Sequence, residues 1–158
     1  MPVGTSIIKC NIEELIVRLN AALASEYQAW SQYIISAALT RGVLAKESAC
    51  AFLSHADEEL EHAGILVRRI IELDGRPVTE PSTWSKLHEE QVFGNDTSVN
   101  TMVRLNTTGE GGAIKMYSDL FEFTDGKDVV TASLIEEILG DEVRHERELL
   151  IILENLEQ

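Results

Sequence analysis

The sequence predicts an all-α fold, a four-helix bundle with one long crossover between its second and third helices. Three observations carry this expectation: four long stretches with apolar residues at helical spacing, short turn-forming links inside two pairs of them, and a link of about two dozen residues between the pairs. With 158 residues and 44% apolar content, the whole chain, 1–158, reads as a single domain.

The first helix is expected from Asn11 to about Arg41, with Ile12, Leu15, Leu19, Ala22, Ala29, Tyr33 and Ala37 on one face and Gly42 stopping it. The second runs from about Lys46 to Leu73, placing Phe52, Ala56, Leu66, Ile70 and Leu73 inward, and "DGRP" ends it. The third spans roughly Ser98 to Phe123, with Val103, Ala113, Tyr117 and Leu120 inward. The fourth spans about Val129 to Leu156, with Ile135, Ile138, Leu149, Ile152 and Leu156 in register. Short links around Gly42 and at "TDGKD" make each pair an antiparallel hairpin. The long link, rich in turn formers, holds a short "WSKLHEEQV" of helical character and must run the length of the bundle.

Thirteen basic against twenty-seven acidic residues give a net charge of −14, which repels nucleic acid and anionic membranes and attracts cations. Cys10 and Cys50 have no paired spacing, so neither a disulfide framework nor a zinc-thiolate site is expected. The start "MPVGTSIIKC" lacks the pattern of an export signal and no run approaches a membrane span, so the expected location is cytoplasmic.

Each inward stripe is interrupted by polar residues where leucine is expected. Glu26 interrupts the first helix, Glu59 and His62 the second, Glu110 the third, and Glu142 and His145 the fourth. Burying a bare carboxylate costs roughly several kcal/mol, so four without compensation would exceed the ~5–15 kcal/mol stability of a domain. A cation must sit among them. Glu26 and Glu59 are 33 residues apart and Glu110 and Glu142 are 32, so each hairpin sets a lone Glu opposite a Glu-x-x-His pair. Residues three apart share a helix face, and six ligands rich in carboxylate suit a pair of ions such as iron or manganese. A single Glu-x-x-His is usually a solvated pair; two of them, in matched order with two lone Glu, make a dinuclear site. Tyr33, two turns from Glu26, reads equally as core aromatic or as a phenol beside the metals, whereas Tyr117 reads as core. His55 and His88 have no matching partners and read as structural or solvent-facing.

From "NIEELIVRLNAALASEYQAWSQY" through "ADEELEHAGILVRRIIELDGRP" to "EILGDEVRHERELL" the chain resembles the ferritin-like di-iron carboxylate proteins, closest to bacterioferritin and the Dps-like miniferritins. The ligand pattern of that family, a Glu from each of two helices and a Glu-x-x-His from each of the other two, is met in full. The resemblance implies that Glu26, Glu59, His62, Glu110, Glu142 and His145 hold two iron ions, manganese being possible, with Glu59 and Glu142 bridging. It implies a catalytic neighbour in Tyr33, which falls where bacterioferritins carry a tyrosine beside the centre. It also implies a ferroxidase that oxidises Fe(II) with dioxygen or hydrogen peroxide and stores iron in a homo-oligomeric shell, with a role under oxidative stress. The alternative is a non-storage di-manganese or di-iron peroxidase or catalase.

Three departures qualify the resemblance. Leu60 stands where bacterioferritins place the methionine that binds haem, so haem in that mode is not expected. Only 13 residues follow His145 and the crossover is long, which leans towards the miniferritin type and a dodecamer, with a 24-mer as the alternative. Gly109, Gly111 and Gly112 surround Glu110 at a cost of about 1 kcal/mol each in a helix interior, which predicts a kink or bulge there and makes Glu110 the least secure ligand.

Overall fold

The computed structural model describes residues 3–87 and 93–157, and these are helical apart from turns, irregular links such as 75–80, and one isolated bridge. A short α1 (Val3–Ser6) precedes α2 (Ile12–Leu39) and α3 (Ala45–Glu72). A single 3-10 turn (Pro81–Thr83) leads into α4 (Trp84–Leu87), and α5 (Val99–Thr124) and α6 (Val129–Leu156) complete the chain. The four long helices are the expected ones. At 28 residues, α2 extends about 42 Å. The start of "WSKLHEEQV" is helical as expected; His88 and the residues after it to 92 lie outside the described residues. Among the described residues no helix is long and apolar enough to cross a membrane.

Local chemistry sets the ends. Asn11 Oδ1 accepts the Glu14 amide at 2.9 Å, Ser98 caps α5, and Asp128 accepts the Thr131 amide at 3.2 Å at the start of α6. At the end of α3 the left-handed residue is Asp74 (φ 59°), not the glycine beside it. Gly75 makes a close approach instead: a Cβ there would lie 3.0 Å from side-chain carbons of Ile16 and Ile70, where the crossover leaves α3 against α2. The crossover then follows α2. Asn20 donates to the Arg76 carbonyl at 3.1 Å and accepts the Val78 amide at 2.6 Å, and Trp84 stacks on Tyr27 at 4.9 Å. Far from this, Arg41 and Ser98 form a parallel bridge that ties the first hairpin to the start of α5.

The core falls into two apolar clusters with a polar layer between them. One contains Leu19, Leu66, Tyr117 and Ile138, the other Tyr33, Phe52, Met102 and Leu149. Most expected core positions are buried. Near the end of α6 the register differs by one residue: Leu153 is buried, four after Leu149, while Ile152 and Leu156 are only partly covered. Ile12, Ala29 and Ala37 are likewise half-buried.

The expected interruption of the third helix is not found. Helix α5 is continuous through Gly109, Gly111 and Gly112, and Glu110 is carried inward with 3% exposure. Packing by Val103, Ala113, Tyr117 and Leu120 on the same face outweighs the glycine penalty, so low propensity does not break the helix.

Candidate metal centre

The polar layer between the two clusters holds all six expected residues. Glu26, Glu59, His62, Glu110, Glu142 and His145 are each 3% exposed or less. Glu26 comes from α2, Glu59 and His62 from α3, Glu110 from α5, and Glu142 and His145 from α6. His62 Nδ1 lies 3.2 Å from Glu142, 3.4 Å from Glu59 and 3.5 Å from Glu26. His145 Nδ1 lies 3.3 Å from Glu59 and 3.9 Å from both Glu110 and Glu142. Among the described residues three ligand-competent groups have donor atoms within 4.8 Å of one another: a smaller one, His55–Glu110–His145, and two of four residues, Glu26–Glu59–His62–Glu142 and Glu59–Glu110–Glu142–His145. Glu59 and Glu142 belong to both of the larger groups.

Tyrosines hold the two unshared carboxylates. Tyr33 Oη donates to Glu110 Oε1, and Tyr117 Oη donates to Glu26 Oε1. Tyr117 is core, as expected from sequence, and its hydroxyl in addition holds Glu26, a contact the sequence reading did not foresee. The signal was available: Tyr33 follows Glu26 by seven residues and Tyr117 follows Glu110 by seven, the same two turns.

Of the two readings expected for His55, the structural one holds: it is 1% exposed and stacks on His145 with ring centres 4.2 Å apart. Its Nδ1 lies 3.2 Å from Tyr33 Oη and its Nε2 2.9 Å from Glu148. Two further carboxylates were missed in the sequence. Asp141 sits 3.2 Å from His62 Nε2, and Glu58 sits 3.3 Å from His145 Nε2. Each directly precedes a Glu of a Glu-x-x-His pair, so the repeated pattern is an acidic residue followed by Glu-x-x-His. Each serves the imidazole of the opposite helix. An ionised carboxylate accepts only, which puts the Nε2 proton outward and, in the neutral ring, leaves the Nδ1 lone pair facing inward.

Burial and mutual repulsion govern the charges in this layer. Burial, reinforced by the neighbouring Glu59, raises the Glu26 carboxyl to about 8, and the same two causes raise Glu142 to about 7. Burial and Glu142 hold Glu110 well above the ordinary range. Burial would lower the His62 imidazole, but the Glu142, Glu26 and Glu59 carboxylates facing it outweigh that and push it far up. Between α2 and α5 a narrow pocket of about 40 Å³ reaches this layer past Ser25, Gln28 and Gln32. Both amide atoms of Gln28 are buried without a partner.

A family model for the ferritin-like domain matches residues 16–158. This chain belongs to the ferritin-like family. It is similar to the bacterioferritin of Rhodobacter capsulatus, 26% identical over 133 residues that span 84% of this chain and 78% of that protein. Among solved structures it is similar to the dodecameric thioferritin of Bacteroides fragilis, a bacterioferritin-related protein, with 34% identity and a TM-score of 0.91 over 94% of this chain and 89% of that one. Dps from Thermosynechococcus elongatus shares the fold at 21% identity and a TM-score of 0.84, over 96% and 95% of the two chains.

The donor set of this ferritin-like chain fits a pair of cations on its own geometry. Among the buried side-chain atoms with no hydrogen-bond partner are Glu26 Oε2, Glu59 Oε1, His62 Nδ1, Glu110 Oε2, Glu142 Oε1 and His145 Nδ1. Each of the six residues contributes one. Buried polar atoms are rarely left so, and here all six turn towards a common space.

Proposed function

We propose that this ferritin-like protein is a di-iron ferroxidase that oxidises Fe(II) to Fe(III) with dioxygen or hydrogen peroxide and stores the product inside a homo-oligomeric shell. The observation that supports this best is the set of six inward, unpartnered donor atoms, divided into two groups that share Glu59 and Glu142. Two Fe(II) are the substrate, held by Glu26 and His62 on one side and Glu110 and His145 on the other. Two such ions supply two electrons, which reduce hydrogen peroxide with two protons to two waters, or dioxygen with two protons to hydrogen peroxide. Four carboxylates neutralise the incoming charge, and in doing so surrender the protons that burial holds on them. Tyr33 and Tyr117 fix the terminal carboxylates by donating to one oxygen of each, leaving the other for the metal.

A single bundle cannot enclose a mineral, so storage requires a closed symmetric assembly. The similar Bacteroides fragilis protein is dodecameric, and a dodecamer is the assembly proposed for this chain. Stopped-flow absorbance tests both parts. Two Fe(II) per subunit added in air or with peroxide should give a fast near-ultraviolet rise, followed by slower accumulation of further iron in a species of dodecamer size by light scattering. Absence of the fast phase sinks the ferroxidase. A fast phase without accumulation favours the non-storage peroxidase, and native protein carrying manganese favours its di-manganese form.

A further inference from the structure

On the face formed by α3 and α6, outside the metal centre, one cation meets three carboxylates. Arg144 Nη2 lies 2.5 Å from Glu58 Oε2 and 2.8 Å from Asp141 Oδ1, and Arg144 Nη1 lies 3.6 Å from Glu148 Oε1. Behind each carboxylate stands a different buried histidine. Glu58 Oε2 also meets His145 Nε2 at 3.3 Å, Asp141 Oδ2 meets His62 Nε2 at 3.2 Å, and Glu148 Oε2 meets His55 Nε2 at 2.9 Å.

We propose that Arg144 is a positioning residue for the metal centre, one guanidinium that fixes three imidazoles through the three carboxylates between them. This rests on reading His62 and His145 as metal ligands.

The physical case has two parts. Glu58, Asp141 and Glu148 are each partly exposed, with side-chain exposures of 29%, 35% and 47%. Free carboxylates so placed would rotate and repel one another, and three of them converge here within reach of one another. A planar guanidinium with a fixed fork of donors holds several oxygens at once, which a lysine ammonium does not do in the same geometry. Pinning the carboxylates in turn fixes the ring planes of His62 and His145 and keeps their Nε2 protons outward. The inward Nδ1 atoms are thereby aimed at the shared carboxylates before any metal arrives.

The arrangement also crosses between helices. Glu58, His55 and His62 belong to α3, whereas Asp141, Arg144, His145 and Glu148 belong to α6. Arg144 therefore sets the two Glu-x-x-His pairs relative to each other, which is the spacing that a bridged pair of ions depends on.

Co(II), which binds iron sites and reports its geometry in the visible spectrum, is the probe. Isothermal calorimetry and absorbance would be recorded on the assembled wild type and on Arg144→Gln, Arg144→Lys and Arg147→Gln. Arg147 is an exposed control that pairs with Glu154 at 3.1 Å, away from the centre. Arg144→Gln should bind the same number of ions with about ten- to hundredfold lower affinity and an altered d–d spectrum. Arg144→Lys, which keeps the charge and loses the fork, should recover only part of the affinity, and Arg147→Gln should match wild type. The melting temperature of each metal-free variant separates loss of folding from loss of positioning. Wild-type affinity and spectrum in both Arg144 variants would overturn the proposal, as would an effect of Arg147→Gln equal to theirs. A wild type that binds no Co(II) would instead overturn the metal-centre reading beneath it.

Discussion

Replacing Glu142 by glutamine should abolish metal function and stabilise the metal-free protein, and the two effects should separate by pH. The side chain keeps its size and loses its charge, in a position shared by both donor groups. Its carboxyl titrates at about 7, against 4.5 when free, because burial and the neighbouring Glu59 oppose ionisation. That difference spans about two and a half pH units at about 1.4 kcal/mol each. At pH 7 the folded state therefore bears a penalty on the order of 3 kcal/mol that the unfolded chain does not. At pH 5 it falls below about 1 kcal/mol, since even the unfolded carboxyl is then partly protonated. Part of the gain is offset by the lost contact with His62 at 3.2 Å. For a domain of this size, about 2 kcal/mol corresponds to a rise of roughly 4–8 °C in melting temperature. Calorimetry on metal-free wild type and Glu142→Gln at pH 5, 7 and 8, with Fe(II) titration under argon, measures both effects. The expected pattern is little difference at pH 5, a growing advantage for the variant at pH 7 and 8, and fewer than two Fe(II) bound. A stability gain equal at all three pH values would refute the electrostatic reasoning. Two Fe(II) bound as tightly as in wild type would refute the site.

Three further outcomes follow from the same geometry. Metal-free protein should lose stability as pH rises from about 5 to 9, because Glu26, Glu142 and His62 all bind protons more tightly folded than unfolded, and saturating Zn(II) should remove this slope; thermal melts across pH check it. Tyr33→Phe and Tyr117→Phe should each spare the stoichiometry of two ions while weakening affinity by similar factors, since each tyrosine holds one terminal carboxylate; unequal losses by an order of magnitude would speak against the paired roles. Glu61→Ala, which alters an exposed neighbour of His62, should leave Fe(II) binding and its rate unchanged by calorimetry and stopped flow.

What could be read from the sequence was what repeats. Helical periodicity gave the four long helices within a few residues, and the interruption of each apolar stripe marked all six inward donors. The centre's outer parts were less legible for physical reasons. Asp141 and Glu58 look like ordinary surface acids, and only their contacts across α3 and α6 distinguish them from Glu61 or Glu137. Tyr117 is a good core residue by every local measure, and its hydroxyl matters because Glu26 arrives from another helix. The glycines around Glu110 misled in the opposite direction: they lower intrinsic helix propensity, but the buried face of α5 supplies the stability that propensity lacks.

His55 was the least legible residue because it breaks the repeat, and the break makes the two proposed metal positions unlike each other. Matching the hairpins by their Glu-x-x-His pairs puts His55, four residues before Glu59, in register with Ile138, four before Glu142. Ile138 lies fully buried in the apolar cluster that contains Tyr117. His55 instead contacts Tyr33 and reaches half-exposed Glu148, so among the described residues only the Glu110–His145 side has a polar connection of this kind. The two positions should therefore differ in affinity. Two unequal binding steps alone would prove nothing, since the first ion repels the second even at identical sites. A double-mutant cycle removes that ambiguity. In Glu26→Gln, which leaves the His145 side intact, adding His55→Leu should weaken Co(II) binding severalfold, the usual scale of about 1 kcal/mol for residues in one hydrogen-bonded network. In Glu110→Gln, which leaves the His62 side, the same addition should change affinity by less than about twofold. Equal effects in both backgrounds would show that His55 acts on the bundle as a whole and that the inequality has another origin.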